Sequence, residues 1–326
     1  MTKIISGNDL ILAKESLDNG NIIIFPTETV YGLGANALDK EAVSKIFFAK
    51  GRPSNNPLIV HLKDKNEIDK YAIINNETEK ILIDKFMPGP FTLILEKKDI
   101  IPDNVTCNMN TVGIRIPDHV IAHNLLSIIN YPIAAPSANI SGKPSGTRVN
   151  DIYSEFNNKV DFIIDGGETI IGLESTVVKV IDGIPTILRP GFITREDIES
   201  VIGNCKVSEY VMKEAHGNAE SPGMLYKHYA PITPCILVDS KKILEESLKY
   251  SKCILIGSSK NKNIPCLKYF NYGDSKPEIA HNIFRILREA DKIKGDIILI
   301  EAVDTSGLGL AIMNRLIRTC SYNYIK

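Results

Sequence analysis

The sequence predicts an α/β protein of two unequal units, the first built on a twisted mixed sheet and the second on a smaller parallel sheet, and three observations lead there. From the N-terminus to about Cys205, short β-branched runs alternate with segments of helical period. Between Cys205 and Pro231 both periodicities fade while Gly, Pro, His and Tyr accumulate, which reads as a linker. Beyond it, uniformly apolar strands again alternate with helices, the pattern of a parallel sheet covered on both faces. The expected division is 1–205, a linker over 206–232, and 233–326.

The elements follow in order. Strands are expected at Asn21–Phe25, Leu58–Leu62, Phe91–Glu96, Val112–Ile116, Ile133–Ala135 and Phe162–Asp165. The stretch Asp39–Ala49 places Val43, Ile46 and Phe47 on one helical face, and Gly51 followed by Pro53 ends it. STVVKV-IDG-IPTILRPG predicts a hairpin turning at Asp182-Gly183, and Thr194-x-x-Asp197 opens a short helix as a capping box does. Mixed strand directions follow. In the second unit, CILVD, CILIGS and DIILIEAV read as strands, and KKILEESLKY, PEIAHNIFRILREADKI and LAIMNRLIRT as helices.

Composition narrows the function. A chain of 326 residues suits two domains at ~100–200 residues each. With 38 Lys+Arg against 39 Asp+Glu, the chain lacks the broad basic field of a general nucleic-acid coat. Asp9, Lys14 and Glu15 interrupt the N-terminal apolar stretches, so no signal-peptide core is present. The longest run without Lys, Arg, Asp or Glu, Val120–Gly142, carries His, Asn, Pro and Ser, which excludes a membrane span. The six cysteines are scattered without CxxC pairs, as expected of reduced thiols in a cytoplasmic protein.

Four polar-dense segments adjoin strands of the first unit, where side chains meet ligands in α/β proteins. In PTETVYGLG (Pro26–Gly34), alternation puts Thr27 and Thr29 on one side, and Gly32 and Gly34 allow close backbone approach; an ordinary Gly-containing turn is the plainer reading. In KGRPSNNPLIVH (Lys50–His61), Lys50 and Arg52 leave a helix end together, a point charge beside a planar fork suited to polyphosphate oxygens, although a helix C-terminus also attracts cations through its dipole. Asn56 lies in a Pro-flanked loop, and His61 alone reads as a satisfied strand histidine. In TVGIRIP (Thr111–Pro117), Arg115 between isoleucines needs an anionic partner if it faces inward, and none if it faces solvent. In AAPSANISGKPSGT (Ala134–Thr147), Ser137, Asn139 and Ser145 suit phosphate contacts or local backbone bonds.

Together these segments resemble the YrdC-like domain of threonylcarbamoyl-AMP synthases. The resemblance rests on KxR at Lys50/Arg52, SxN at Ser137/Asn139, PTETVYGLG, RIPDH, ESTVV (Glu174–Val178) and RPG (Arg189–Gly191), and SPGMLYKHYAP (Ser221–Pro231) resembles the linker of the long, two-domain form. One departure is Met87 within FMPGPFTL, where the family usually has Trp; Met fills a similar apolar gap. The resemblance implies a YrdC-like twisted mixed sheet joined by a lid-like linker to a Rossmann-like parallel domain. It implies condensation of L-threonine, bicarbonate and ATP to threonylcarbamoyl-AMP and pyrophosphate. Downstream tRNA-modification proteins would use the adenylate, with at most a weak tRNA contact by this chain. By motif position, it implies Thr29, His61, Arg115 and Ser175 for L-threonine. For ATP it implies Lys50, Arg52, Asn56, Thr111, Ser137, Asn139, Ser145, Arg189 and Tyr229, with Lys50 and Arg52 also catalytic. Magnesium is expected on the ATP phosphates, with no protein side chain as ligand.

Three other readings stay open at this level. An acid-free run between Glu246 and Asp274 holds Lys249, Lys252, Lys260, Lys262 and Lys268 near aromatics, as an RNA-binding module without adenylation activity would, or as a solvated loop would. A hydrogenase-maturation type carbamoyl transferase carries a similar domain but also Cys-rich zinc segments that are missing here. Gly307-Leu-Gly309 is a weak dinucleotide signal and reads equally as a tight strand-to-helix turn.

Overall fold

The computed structural model describes residues 1–213 and 229–326. The first unit is built on a 12-stranded mixed sheet. From one edge, its strands run Lys3–Ser6, Phe162–Asp165, Ile23–Phe25, Gly32–Asn36, Ile133–Ala135, Ile59–His61, Thr111–Arg115, Phe91–Lys97, Thr176–Ile181, Ile184–Arg189 and Lys206–Val207, with Ala72–Ile73 pairing beside Phe91–Lys97. Parallel and antiparallel neighbours intermix; Ile59–His61 runs parallel to Thr111–Arg115, which puts His61 directly opposite Arg115. Apolar side chains on the two faces form two clusters, one including Val43, Ile46, Val60 and Leu93, the other Phe25, Leu125, Ile133 and Ile164. Met87 is buried in the first, which agrees with its reading as a packing residue.

Local chemistry accounts for these elements. Asp39 accepts hydrogen bonds from Glu41 N and Ala42 N to start the helix Lys40–Lys50, and Gly51 at φ 60° ends it. The hairpin turns at Asp182 and Gly183, both at positive φ, as a two-residue primed turn requires. Thr194 and Asp197 form the expected capping box of Arg195–Ile202. PTETVYGLG departs from the expectation of a turn, because its second half is the strand Gly32–Asn36. Its glycines make room for neighbours: a Cβ on Gly34 would lie 2.7 Å from the Ile133 side chain and 2.9 Å from Phe25. A run this rich in glycine carries no strand propensity, so only the cross-strand packing reveals it.

The second unit has a five-stranded, all-parallel sheet ordered Lys268–Asn271, Cys253–Gly257, Ile297–Glu301, Cys235–Val238, Tyr324–Ile325. Alternate residues of its strands face opposite clusters, Ile254, Ile298 and Ile300 on one side and Leu255, Ile297 and Leu299 on the other, as both-face burial demands. The helices Lys276–Asp291 and Gly309–Thr319 cover the first side. That cluster also takes in Val30, Ile171 and Leu173 of the first unit, so the two units share apolar packing. Among the described residues, no helix is long and apolar enough to cross a membrane, and no disulfide joins any of the six cysteines.

Candidate active site

A cleft with about 710 Å³ of unfilled space, partly open to solvent, lies where the strand ends carrying His61 and Arg115 meet the loops after Ile133–Ala135 and before Thr176–Ile181. Lys50, Arg52, Arg115 and Arg189 line it, with Glu174 the one acid among its described walls. Four cations facing one acid make a site for a polyanion.

Lys50 closes its helix, and its buried Nζ donates to Ser137 O at 2.5 Å and Asn139 O at 2.6 Å. Burial first, then the Arg52 charge, push its ammonium well below the usual 10.5. Arg52 donates to the carbonyls of Asn56 (3.1 Å) and Pro57 (3.0 Å), while its buried Nε has no hydrogen-bond partner. Burial and the Arg189 charge lower it to about 10, so it stays cationic at neutral pH. Ser137 Oγ donates to Asn139 Oδ1 at 2.6 Å, and the Asn139 amide holds the carbonyls of Ile140 and Lys143, which fixes this loop beneath Lys50.

Arg115 faces inward and is buried. Its Nη2 donates to Thr29 Oγ1 at 2.8 Å and lies 2.8 Å from Glu28 Oε1, an internal carboxylate as counter-ion. The Arg115 Nε has no hydrogen-bond partner. Thr27 and Thr29 meet at 2.9 Å between their hydroxyls. His61 sits edge-on to Phe25, and its Nδ1 must carry the proton because it faces Ile59 O at 3.1 Å. Burial and the Arg115 charge lower its pKa to about 3, so the imidazole is neutral at pH 7.

Ser175 accepts from Arg189 Nη2 at 3.0 Å and shares a 2.8 Å hydrogen bond with Thr92 Oγ1, and its carbonyl takes Arg189 Nε at 3.1 Å. Burial lowers Arg189 to about 10. Gly191 makes this approach possible, since a Cβ there would lie 2.3 Å from Thr176 N. Glu174 accepts the Ser145 hydroxyl on one oxygen and Arg315 Nε on the other at 2.9 Å. Its burial opposes ionisation, but Arg315, Arg189 and Ser145 outweigh that and keep the carboxyl below its ordinary range. Tyr229, at the end of the linker, lines the cleft with its ring stacked on Phe284 at 5.0 Å.

Of the residues singled out in the sequence, Lys50, Arg52, His61, Arg115, Ser137, Asn139, Ser175, Arg189 and Tyr229 come together at this cleft. Thr29 stands behind Arg115, Ser145 behind Glu174, and Asn56 supports Arg52 through its carbonyl. Thr111 is at the opposite end of its strand from Arg115, beside a small apolar cavity that includes Ile94 and Val112. Ser221–His228 of the linker signature lie outside the described residues. Sequence reasoning gave no role to Glu28, Glu174 or Arg315. Arg315, buried on a helix among Ala311, Ile312 and Leu316, carried the same signal as Arg115, a charge within an apolar pattern. Of the lysine run, Lys249 pairs with Glu246 and, at 3.4 Å, with Glu245, the acids just before the run.

Comparison with known proteins bears on this arrangement. Residues 15–191 match the Sua5/YciO/YrdC family, described as "telomere recombination", and residues 193–321 match "threonylcarbamoyl-AMP synthase, C-terminal domain". The chain is 43% identical to the threonylcarbamoyl-AMP synthase of Pyrococcus abyssi, over 97% of this chain and 95% of that protein. It is 39% identical to that of Bacillus subtilis, over 100% and 97%. The crystal structure of P. abyssi Sua5 complexed with L-threonine superposes with a TM-score of 0.95 at 42% identity, covering 100% of this chain and 99% of that one.

Proposed function

The chain belongs to the threonylcarbamoyl-AMP synthase family, in its two-domain form, and is thus a nucleotidyltransferase-type enzyme; from that premise we propose that it condenses L-threonine, bicarbonate and ATP to threonylcarbamoyl-AMP and pyrophosphate. The observation that carries this reading is the cleft itself, four inward cations against one already neutralised acid, next to the Thr29–Arg115–His61 corner. The threonine carboxylate goes to Arg115, whose Nε has no hydrogen-bond partner, with neutral His61 and Ser175 available to the rest of the amino acid. Lys50, Arg52 and Arg189, with Ser137 and Asn139, hold the triphosphate.

The amine of threonine takes up bicarbonate with loss of water, and an oxygen of the resulting carbamate attacks the α-phosphorus while pyrophosphate leaves. Such a step needs positioning and cations to absorb phosphate charge, not a nucleophilic side chain. Tyr229 closes over the nucleotide and keeps water from the labile adenylate. Glu174 is committed to Arg315, and the other charged side chains among the described walls of the cleft are Lys50, Arg52, Arg115 and Arg189, donors suited to phosphate oxygens. Magnesium is therefore proposed to arrive on the ATP phosphates, where it would neutralise charge. The adenylate would pass to proteins that modify adenosine beside the tRNA anticodon.

The test is mass detection of threonylcarbamoyl-AMP from purified protein with ATP, L-threonine and bicarbonate. Product that requires all three supports the reading; pyrophosphate release indifferent to threonine would overturn it.

A further inference from the structure

The second domain reaches the walls of the cleft through Arg315, midway along Gly309–Thr319 and fully buried. Its Nε donates to Glu174 Oε2 at 2.9 Å, its Nη1 donates to Pro190 O at 2.8 Å, and its guanidinium lies 5.8 Å from the centre of the Tyr229 ring. These partners come from three different segments of the first domain and linker, two of them, Glu174 and Tyr229, lining the cleft and the third following Arg189. The carboxylate of Glu174 therefore stands between a cleft meant for an anion and a guanidinium supplied by the other domain. Left unpaired at the effective dielectric of partly buried sites, a wall carboxylate would repel a phosphate in the same cleft and weaken its binding by roughly an order of magnitude. It would also carry the desolvation penalty of a buried lone charge.

We propose that Arg315 is a positioning residue through which the second domain sets nucleotide affinity. It does so by neutralising the Glu174 carboxylate at the wall of the cleft. This rests on the reading of the cleft as the ATP site. The role is separable from general packing, because on this reading Glu174 faces the phosphates assigned to Lys50, Arg52 and Arg189, whereas Arg115, assigned to the threonine carboxylate, has its own counter-ion in Glu28.

The full-length protein is compared with Arg315→Met, Arg315→Lys, Glu174→Gln and the double variant Arg315→Met/Glu174→Gln. ATP binding is measured by calorimetry without threonine, and pyrophosphate release gives KM for each substrate. Arg315→Met is expected to weaken ATP binding by about tenfold or more and to raise the ATP KM in step, with the threonine KM moving less than about twofold. Arg315→Lys keeps a cation beside Glu174, and the double variant removes both charges; each should bind ATP within about threefold of the parent protein. Equal losses for both substrates, or a double variant as poor as Arg315→Met, would overturn the proposal. Should Arg315→Met fail to fold, Glu174→Gln decides: with Arg315 retained it is expected to bind ATP more tightly, and weaker or unchanged binding would count against the proposal. A parent protein that binds no ATP would instead overturn the site reading itself, whereas ATP binding indifferent to Arg315 would sink only this inference.

Discussion

Single side chains in the cleft walls carry charge while largely buried, and that burial sets what each can do. Lys50 donates its Nζ to two backbone carbonyls and is held well below its ordinary pKa by burial and by Arg52. Lys50→Ala or Arg52→Ala should lower pyrophosphate release by about two orders of magnitude while the protein still folds, since removing a charged contact to a transferring group has roughly that effect. Near-normal turnover, measured beside a circular dichroism melt, would remove both from the phosphate site. His61 gives a pH prediction. Its folded pKa of about 3 lies below the unfolded 6.5, so the unfolded chain binds the extra proton between those values. The stability it contributes is complete above pH 6.5 and is lost as pH falls toward 3. Urea unfolding between pH 7.5 and 4 should therefore show a shallower acid loss in His61→Gln than in the parent. At this scale the residue pattern left Arg115 needing an anion only if it faced inward, and gave no sign that Glu28 sits on it, because nothing in the chain order says which carboxylate the fold brings within 2.8 Å.

Elements convert local chemistry into position. The helix Lys40–Lys50, the hairpin at Asp182-Gly183 and the capping box at Thr194 were all legible, because caps and primed turns are decided by neighbours in the chain. Lys3–Ser6 was not, since it becomes a strand by pairing with Phe162–Asp165, far away in sequence; nor was Gly32–Asn36, whose glycines hide a strand that pairs with Ile23–Phe25 nearby and Ile133–Ala135 far away. Two glycines separate the local from the long-range effect. Gly183, at φ 77° with nothing near its missing Cβ, should cost about 1 kcal/mol of stability when replaced by Ala, leaving ATP affinity unchanged. Gly191→Ala would drive a methyl into the backbone at Thr176 and displace Arg189 from Ser175. Its loss in ATP binding should exceed its loss in stability, as calorimetry and denaturant titration on the same samples would show; the reverse order would detach Gly191 from the site.

At the scale of the molecule, the second domain closes the first. Arg288 pairs with Glu155 at 2.8 Å, Arg148 with Glu289 at 3.1 Å, and Gly172 allows the backbone at Ala280 and His281 to come within 2.6 Å of where its Cβ would be. Val30, Ile171 and Leu173 belong to the same buried apolar cluster as Ile283 and Phe284. A chain ending at Ser221 would lose Tyr229 and Arg315 and uncover those apolar residues. It should bind a hydrophobic dye and release pyrophosphate far more slowly than the full chain. Equal activity would show that the linker and second domain are dispensable for synthesis.

What the sequence determined by itself was whatever neighbours along the chain decide: the α/β alternation, the caps and turns, the two-domain division, and a set of motifs dense enough to point to one family. The tertiary structure alone decided which charges meet. Lys50, Arg115 and Arg189 come from separate elements, and the pairings of Arg115 with Glu28 and of Arg315 with Glu174 join residues 87 and 141 positions apart. Charge pairing across such separations depends on distance and burial, which periodicity and local propensity do not encode.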